Sequence, residues 1–166
     1  EESKSPREKL SILCSQIEGI IATVFRQTVL TRFEQAAHGA RESGKVQAEM
    51  LCDLWWAENK KLYGDAVRMV ESYRWGWAYI PHFIHTPFYC YAYSYGQLLV
   101  LSLYDEYARK GGAFVSGYLD LLSSGGSDSP AALVGKSVGL DLNDPSFWRR
   151  SLGLLEKNLR IIENLV

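Results

Sequence analysis

The sequence is short of the features that mark the commonest functions. Its 18 lysines and arginines nearly cancel its 19 acids, leaving a net charge of −1 with the two signs interspersed. Such a chain offers no basic stripe to nucleic acid and no acidic tail to a charge-driven partner. Its apolar runs fall far below the roughly 20 residues of a membrane span, so no membrane segment is expected. The opening lacks a charged stretch followed by an apolar one, and no secretory signal is read there. Cysteine occurs three times, at Cys14, Cys52 and Cys90. The number is odd, the spacing is wide, and no CxxC metal or redox pair is formed. Each thiol lies among apolar or aromatic neighbours, as reduced structural cysteines of a cytoplasmic protein do. A Gly-rich phosphate loop, a serine nucleophile elbow and a paired-carboxylate signature are also missing. No stretch alternates cleanly enough to demand a strand, and there is neither an internal repeat nor a low-complexity linker.

Apolar side chains make up 47% of the 166 residues and charged ones 22%, enough to build one domain with a real core. The expectation is a single all-α, multi-helix domain over residues 1–166. Ser5, Pro6 and Glu8 form a helix entry in which Glu8 stands three residues after the cap. Leu10, Leu13, Ile17, Ile20, Ile21, Val24, Phe25, Val29 and Phe33 then recur at helical spacing, which predicts one long helix over residues 6–42. A second helix is predicted over 45–62, broken by Tyr63-Gly64-Asp65. Pro81 biases Ile80 away from helix, and Pro87 permits a new start. A buried helix is then predicted from Phe88 to Lys110, followed by three shorter helical stretches. Asp128 or Ser129 can cap the helix that begins at Pro130, and the last helix is predicted over about 145–165.

The stretch IPHFIHTPFYCYAYSYGQ, residues 80–97, gathers two of the three histidines and four of the ten tyrosines. A core seldom wants so many phenols, because each O–H needs a partner when buried. His82 and His85 have the i,i+3 spacing that brings two imidazoles to one metal. Yet prolines bracket the pair and no third ligand follows closely, so a hydrogen-bonding or proton-handling role in a cleft is the better reading. On a helix, Tyr89 and Tyr93 share one side while Tyr91 and Tyr95 share another. Tyrosine beside histidine is a kit for holding a developing oxyanion, and aromatic packing is the plainer reading for two of the four. Catalysis by Cys90 with His82 or His85 has no supporting pattern. In FRQTVLTRFEQAAH, residues 25–38, Arg26, Arg32 and Glu34 are read as a solvated charged face.

In order and spacing, FRQTVLTRFEQAAH, YGD, WAYIPHFIHTPFYCYAYSYGQLLVLSLY and YLDLLSSGGSDSPAALVGKSVGLDL resemble the C-terminal part of oligoendopeptidase F, in the M3 group of zinc metallopeptidases. The resemblance runs from about Leu10 to the end of the chain. It implies a mostly helical peptidase with a deep cleft for short peptides, and zinc held by an HExxH helix and a further glutamate. This chain has no HExxH, so the family pattern places those elements upstream of Glu1. The chain is then expected to be a C-terminal fragment that binds no zinc itself, with the upstream part of the same enzyme and short peptides as its partners. His82 matches the histidine that faces substrate near the metal. Tyr91 is the favoured oxyanion donor, and Tyr89, Tyr93 and His85 are substrate-binding candidates. The isolated fragment is expected to be inactive, and exposure of its cleft wall makes self-association an expectation. The rival reading is a stand-alone helical module that binds peptides or a protein without catalysis.

Overall fold

A computed structural model describes residues 5–166. Helices and turns account for the ordered elements, and no strand occurs among the described residues, so the fold is all-α. The predicted entry is present. The Ser5 N–H donates to Glu8 Oε2 at 2.8 Å, and the Glu8 N–H donates back to Ser5 Oγ at 3.3 Å. This capping box supplies two donors with acceptors that the first helical turn lacks.

The helix that follows ends at Glu42, as its periodicity predicts, but it is not uniform. Helix α1 (Pro6–Ile20) passes through a π-helical stretch (Ile21–Arg26) into α2 (Gln27–Glu42). Widening of the coil alters the regular hydrogen-bond ladder, and at its end the Val24 carbonyl takes side-chain donors in addition to the Gln27 N–H. It accepts from Thr28 Oγ1 at 2.7 Å and from Ser94 Oγ at 2.9 Å.

The residues fall into two compact units, Gly19–Tyr95 in one and Gly96–Val166 with the segment up to Glu18 in the other. In the first, α2 is followed by α3 (Ala48–Tyr63), a 3-10 stretch (Glu71–Tyr79), the single-turn α4 (His82–His85) and the start of α5 (Tyr91–Lys110). Leu30, Phe33, Trp55, Ile80 and Cys90 form its core, with Leu51, Leu54, Tyr73, Trp77 and Phe83 packed around them. Trp55 meets the ring of Phe33 edge-on at 5.4 Å, and its indole N–H donates to the Tyr73 carbonyl at 2.9 Å. The Tyr73 phenol, pushed up to about 12 by burial first and by neighbouring Tyr63 second, donates to Asn59 Oδ1 at 3.2 Å. Gly76 lies flat on the indole, and a Cβ there would stand 2.8 Å from Trp55 Nε1.

The second unit holds α1 to Glu18, the rest of α5, α6 (Gly112–Ser124), α7 (Pro130–Val138) and α8 (Pro145–Glu163). Of the two predicted caps for α7, Ser129 does the capping, accepting from Ala132 N–H at 3.3 Å. Asp144 caps α8 through Ser146 N–H at 2.8 Å. Val134, Leu142 and Phe147 form the core, flanked by Leu99, Leu121, Val138, Leu140 and Trp148. Ser102 ties α5 to α8 by donating to the Phe147 carbonyl at 2.8 Å. Two expectations for α5 need correction. It starts at Tyr91 rather than Phe88, because Phe88 adopts φ 57, outside the right-handed helical region. Nor is it buried throughout: Tyr91, Val100, Tyr104 and Tyr107 are exposed. The last two, with Val100, Leu103, Phe114, Val115 and Tyr118, line an apolar hollow of about 340 Å³. No helix among the described residues is long and apolar enough to cross a membrane.

Candidate functional site

The histidine–tyrosine stretch is built around a sharp reversal between α4 and α5. Pro81, with φ −66, opens α4, and its carbonyl accepts from His85 N–H at 2.9 Å. Pro87 cannot continue that turn, since it carries no N–H. The chain then passes through Phe88 in the left-handed region, the one non-glycine residue with positive φ among those described. Two anchors flank the reversal: Ile80 and Cys90 both lie in the first unit's core. A third holds it in the middle. The Phe88 N–H donates to Glu34 Oε1 at 2.7 Å, and the Phe88 ring rests 4.5 Å from His38, one turn further along α2.

With the reversal fixed, His82, Tyr93 and Tyr89 come together. His82 Nε2 lies 3.1 Å from the Tyr93 hydroxyl, with the two rings at 80°. Tyr93 in turn meets Tyr89 edge-on, with centroids 5.5 Å apart. The predicted pairing of Tyr89 with Tyr93 on one side is thus observed, although Tyr89 precedes the helix. Tyr91 lies outside this cluster and neighbours Tyr95, whose phenol is pushed up by burial first and by Tyr91 second. Tyr89, Tyr91 and Tyr93 are 47%, 57% and 39% exposed, so all three present their rings at the surface of the unit. His85 is exposed at the end of α4 and is not brought to His82's partners. The cluster can therefore grip a hydrogen-bonding ligand at an accessible edge, with one imidazole already hydrogen-bonded to a phenol.

Cys90 is fully buried, and burial followed by the charge of Glu34 pushes its thiol up. A nucleophilic cysteine needs the opposite shift, which removes the cysteine–histidine reading. The described residues also do not fit a zinc site. They contain no group of three or more histidine, cysteine or acidic side chains able to hold a metal, and His82 Nε2 is engaged by Tyr93.

Two residues escaped the sequence reading. Glu34, expected on a solvated face, is only 2% exposed, and its second oxygen, Oε2, is enclosed without a hydrogen-bond partner among the described residues. It stands one turn after Leu30 and beside Phe33, both core residues, so the apolar periodicity of α2 is the signal that could have placed it inside. Phe88 gave no such signal, because a bulky residue rarely takes a positive φ. Arg32 also has a definite partner: its Nε donates to Glu58 Oε2 at 2.8 Å.

An oligoendopeptidase-F from Enterococcus faecium has a crystal structure that matches with a TM-score of 0.89 and 30% identity, covering 99% of this chain and 31% of that one. Oligopeptidase PepF of Bacillus subtilis is 30% identical over 96% of this chain and 24% of its own length. The plasmid oligoendopeptidase F of Lactococcus lactis subsp. cremoris is 31% identical over 99% of this chain and 27% of its own. The chain thus spans about a quarter of the length of these two relatives. Residues 1–154 match the profile of peptidase family M3, and the chain belongs to that family.

Proposed function

We propose that this chain is the C-terminal helical part of the catalytic domain of an oligoendopeptidase F-like metallopeptidase, and that it contributes the groups that bind a short peptide and stabilise its transition state. The observation that carries the reading is the accessible His82–Tyr93–Tyr89 cluster within a segment of an M3 peptidase. His82, oriented by Tyr93, is the imidazole that meets the substrate, while Tyr89 and His85 belong to the wall that receives the peptide. The Tyr93 hydroxyl is already bonded to His82 Nε2, whereas Tyr91 is more than half exposed and no hydrogen bond of its O–H is described. That leaves Tyr91 as the donor to the scissile carbonyl oxygen as negative charge develops there.

Zinc, in this reading, is held by residues other than those described and supplies the activated water. Loss of one oxyanion donor typically costs about 2.7–4 kcal/mol of transition-state stabilisation. Donors without the nucleophile orient a peptide but do not cleave it, so the chain alone is inactive. The unpaired Cys14, Cys52 and Cys90 support a cytoplasmic location, where thiols stay reduced. Exposed Val100, Tyr104, Leu119 and Leu122 support self-association of the chain when it is by itself.

The test is cleavage of an internally quenched short peptide by this chain alone and by the longer protein that contains it. Activity in the longer protein only is the expected result. Peptide binding without cleavage by both would replace the reading with that of a non-catalytic binding module.

A further inference from the structure

We infer that Glu34 is a positioning residue for the histidine–tyrosine cluster, acting through the backbone of Phe88; its consequence for catalysis rests on the peptidase reading above. Phe88 holds φ 57, a conformation that disfavours a bulky side chain. Something must outweigh that cost, and the only hydrogen bond described for the Phe88 N–H goes to the Glu34 carboxylate at 2.7 Å. A hydrogen bond made away from water is costly to lose, because the buried donor is then left without a partner. Glu34 is 2% exposed, and no ion pair to a lysine or arginine is formed by it among the described residues, so it is not part of a surface ion pair. Its carboxylate instead meets the chain at the point where α4 turns toward α5. One residue later comes Tyr89, which leans on Tyr93, which holds His82. Four residues along α2, His38 supports the Phe88 ring from the same face. If Phe88 left the left-handed region, Tyr89 would swing first and the Tyr93–His82 bond would lose its lateral support.

The inference is tested first by NMR on the 166-residue chain, independently of any activity. In the unmodified chain the Phe88 amide is expected to exchange at least about tenfold more slowly than a free amide. Glu34→Ala is expected to abolish that protection and to move the His82 ring nitrogens and the Tyr89 and Tyr93 ring signals toward solvent values. Glu34→Gln keeps an acceptor oxygen and should retain all of them. Glu34→Ala with Phe88→Gly, where glycine accepts the positive φ without strain, should restore the His82 signals. A residue that merely stabilised the fold would lower the melting temperature and leave these local signals in place. An unprotected Phe88 amide in the unmodified chain overturns the inference, even if Glu34→Ala does not fold. So do unchanged His82 and Tyr89 signals in a folded Glu34→Ala. In the longer protein, Glu34→Ala should lower kcat about tenfold or more with KM less affected, and Glu34→Gln should stay near the unmodified enzyme. If the unmodified protein cleaves no peptide, the functional reading fails, while the NMR result still decides the role of Glu34.

Discussion

Glu106 offers a sharp test of the forces that hold the second unit together. Its carboxylate, 5% exposed, accepts from Arg109, from Lys110 at 2.9 Å and from Arg150 at 2.6 Å, the last joining α5 to α8. Burial pushes this carboxyl up, but the Lys110 hydrogen bond and the charges of Arg109, Lys110 and Arg150 together outweigh burial, and the net shift is downward. Glu106→Gln removes the charge and keeps the shape. The three cations are roughly one-third to one-half exposed and can relax into water, so the loss is smaller than for a sealed pair. It should be about 2 kcal/mol, between the about 3–5 of a broken buried pair and the about 1 of a surface pair. For a chain of this size that is a fall of about 4–8 °C in Tm. A carboxylate whose pKa is depressed in the folded state contributes stability above its unfolded value, near 4.5, and loses that contribution as pH falls through the folded value. Thermal melts at pH 7 should therefore separate the two proteins, and the gap should narrow as melts are taken at pH values progressively further below 4.5. A gap that stays constant through the acid range until both proteins unfold would refute the ion-cluster account and leave shape alone as the cause.

Further outcomes are equally open to measurement. Gly117→Ala should destabilise by about 1–3 kcal/mol or more, because its Cβ would stand 2.3 Å from the Ser137 carbonyl oxygen and α6 would have to move off α7; a Tm within error of the unmodified chain would contradict this packing. Cys52 and Cys90, both buried, should resist a thiol reagent until the chain unfolds, while half-buried Cys14 reacts first; rapid labelling of Cys90 in the folded chain would contradict the core assignment. Zinc in the dialysed chain, measured against protein concentration, should be negligible. About one zinc per chain would instead give His82 and His85 a site of their own and undo the roles proposed for them.

Much of the architecture was legible because it depends on local chemistry. Ser5 and Glu8 spelled a capping box, Gly64 stopped α3 with φ 53, and Ser129 ahead of Pro130 announced α7. The π-helical stretch was not legible, since Ile21–Arg26 keeps an apolar pattern and only the side chains of Thr28 and Ser94 reveal that a carbonyl there is served from outside the ladder. At the candidate site the helical spacing of Tyr89 and Tyr93 was readable. The bond from Tyr93 to His82 was not, because it depends on how a proline-bracketed turn closes over 11 residues. Glu34 was misplaced for a related reason. A lone charge in an amphipathic helix is ordinarily solvated, and what buries this one is an N–H 54 residues away.

The central claim is that this chain supplies transition-state groups to a peptidase. It is tested most directly by kcat and KM for a short quenched peptide in the longer protein, unmodified and with Tyr91→Phe. Removal of one oxyanion donor predicts a fall in kcat of about 10²–10³ with little change in KM. Equal kcat values for the two proteins would contradict the claim.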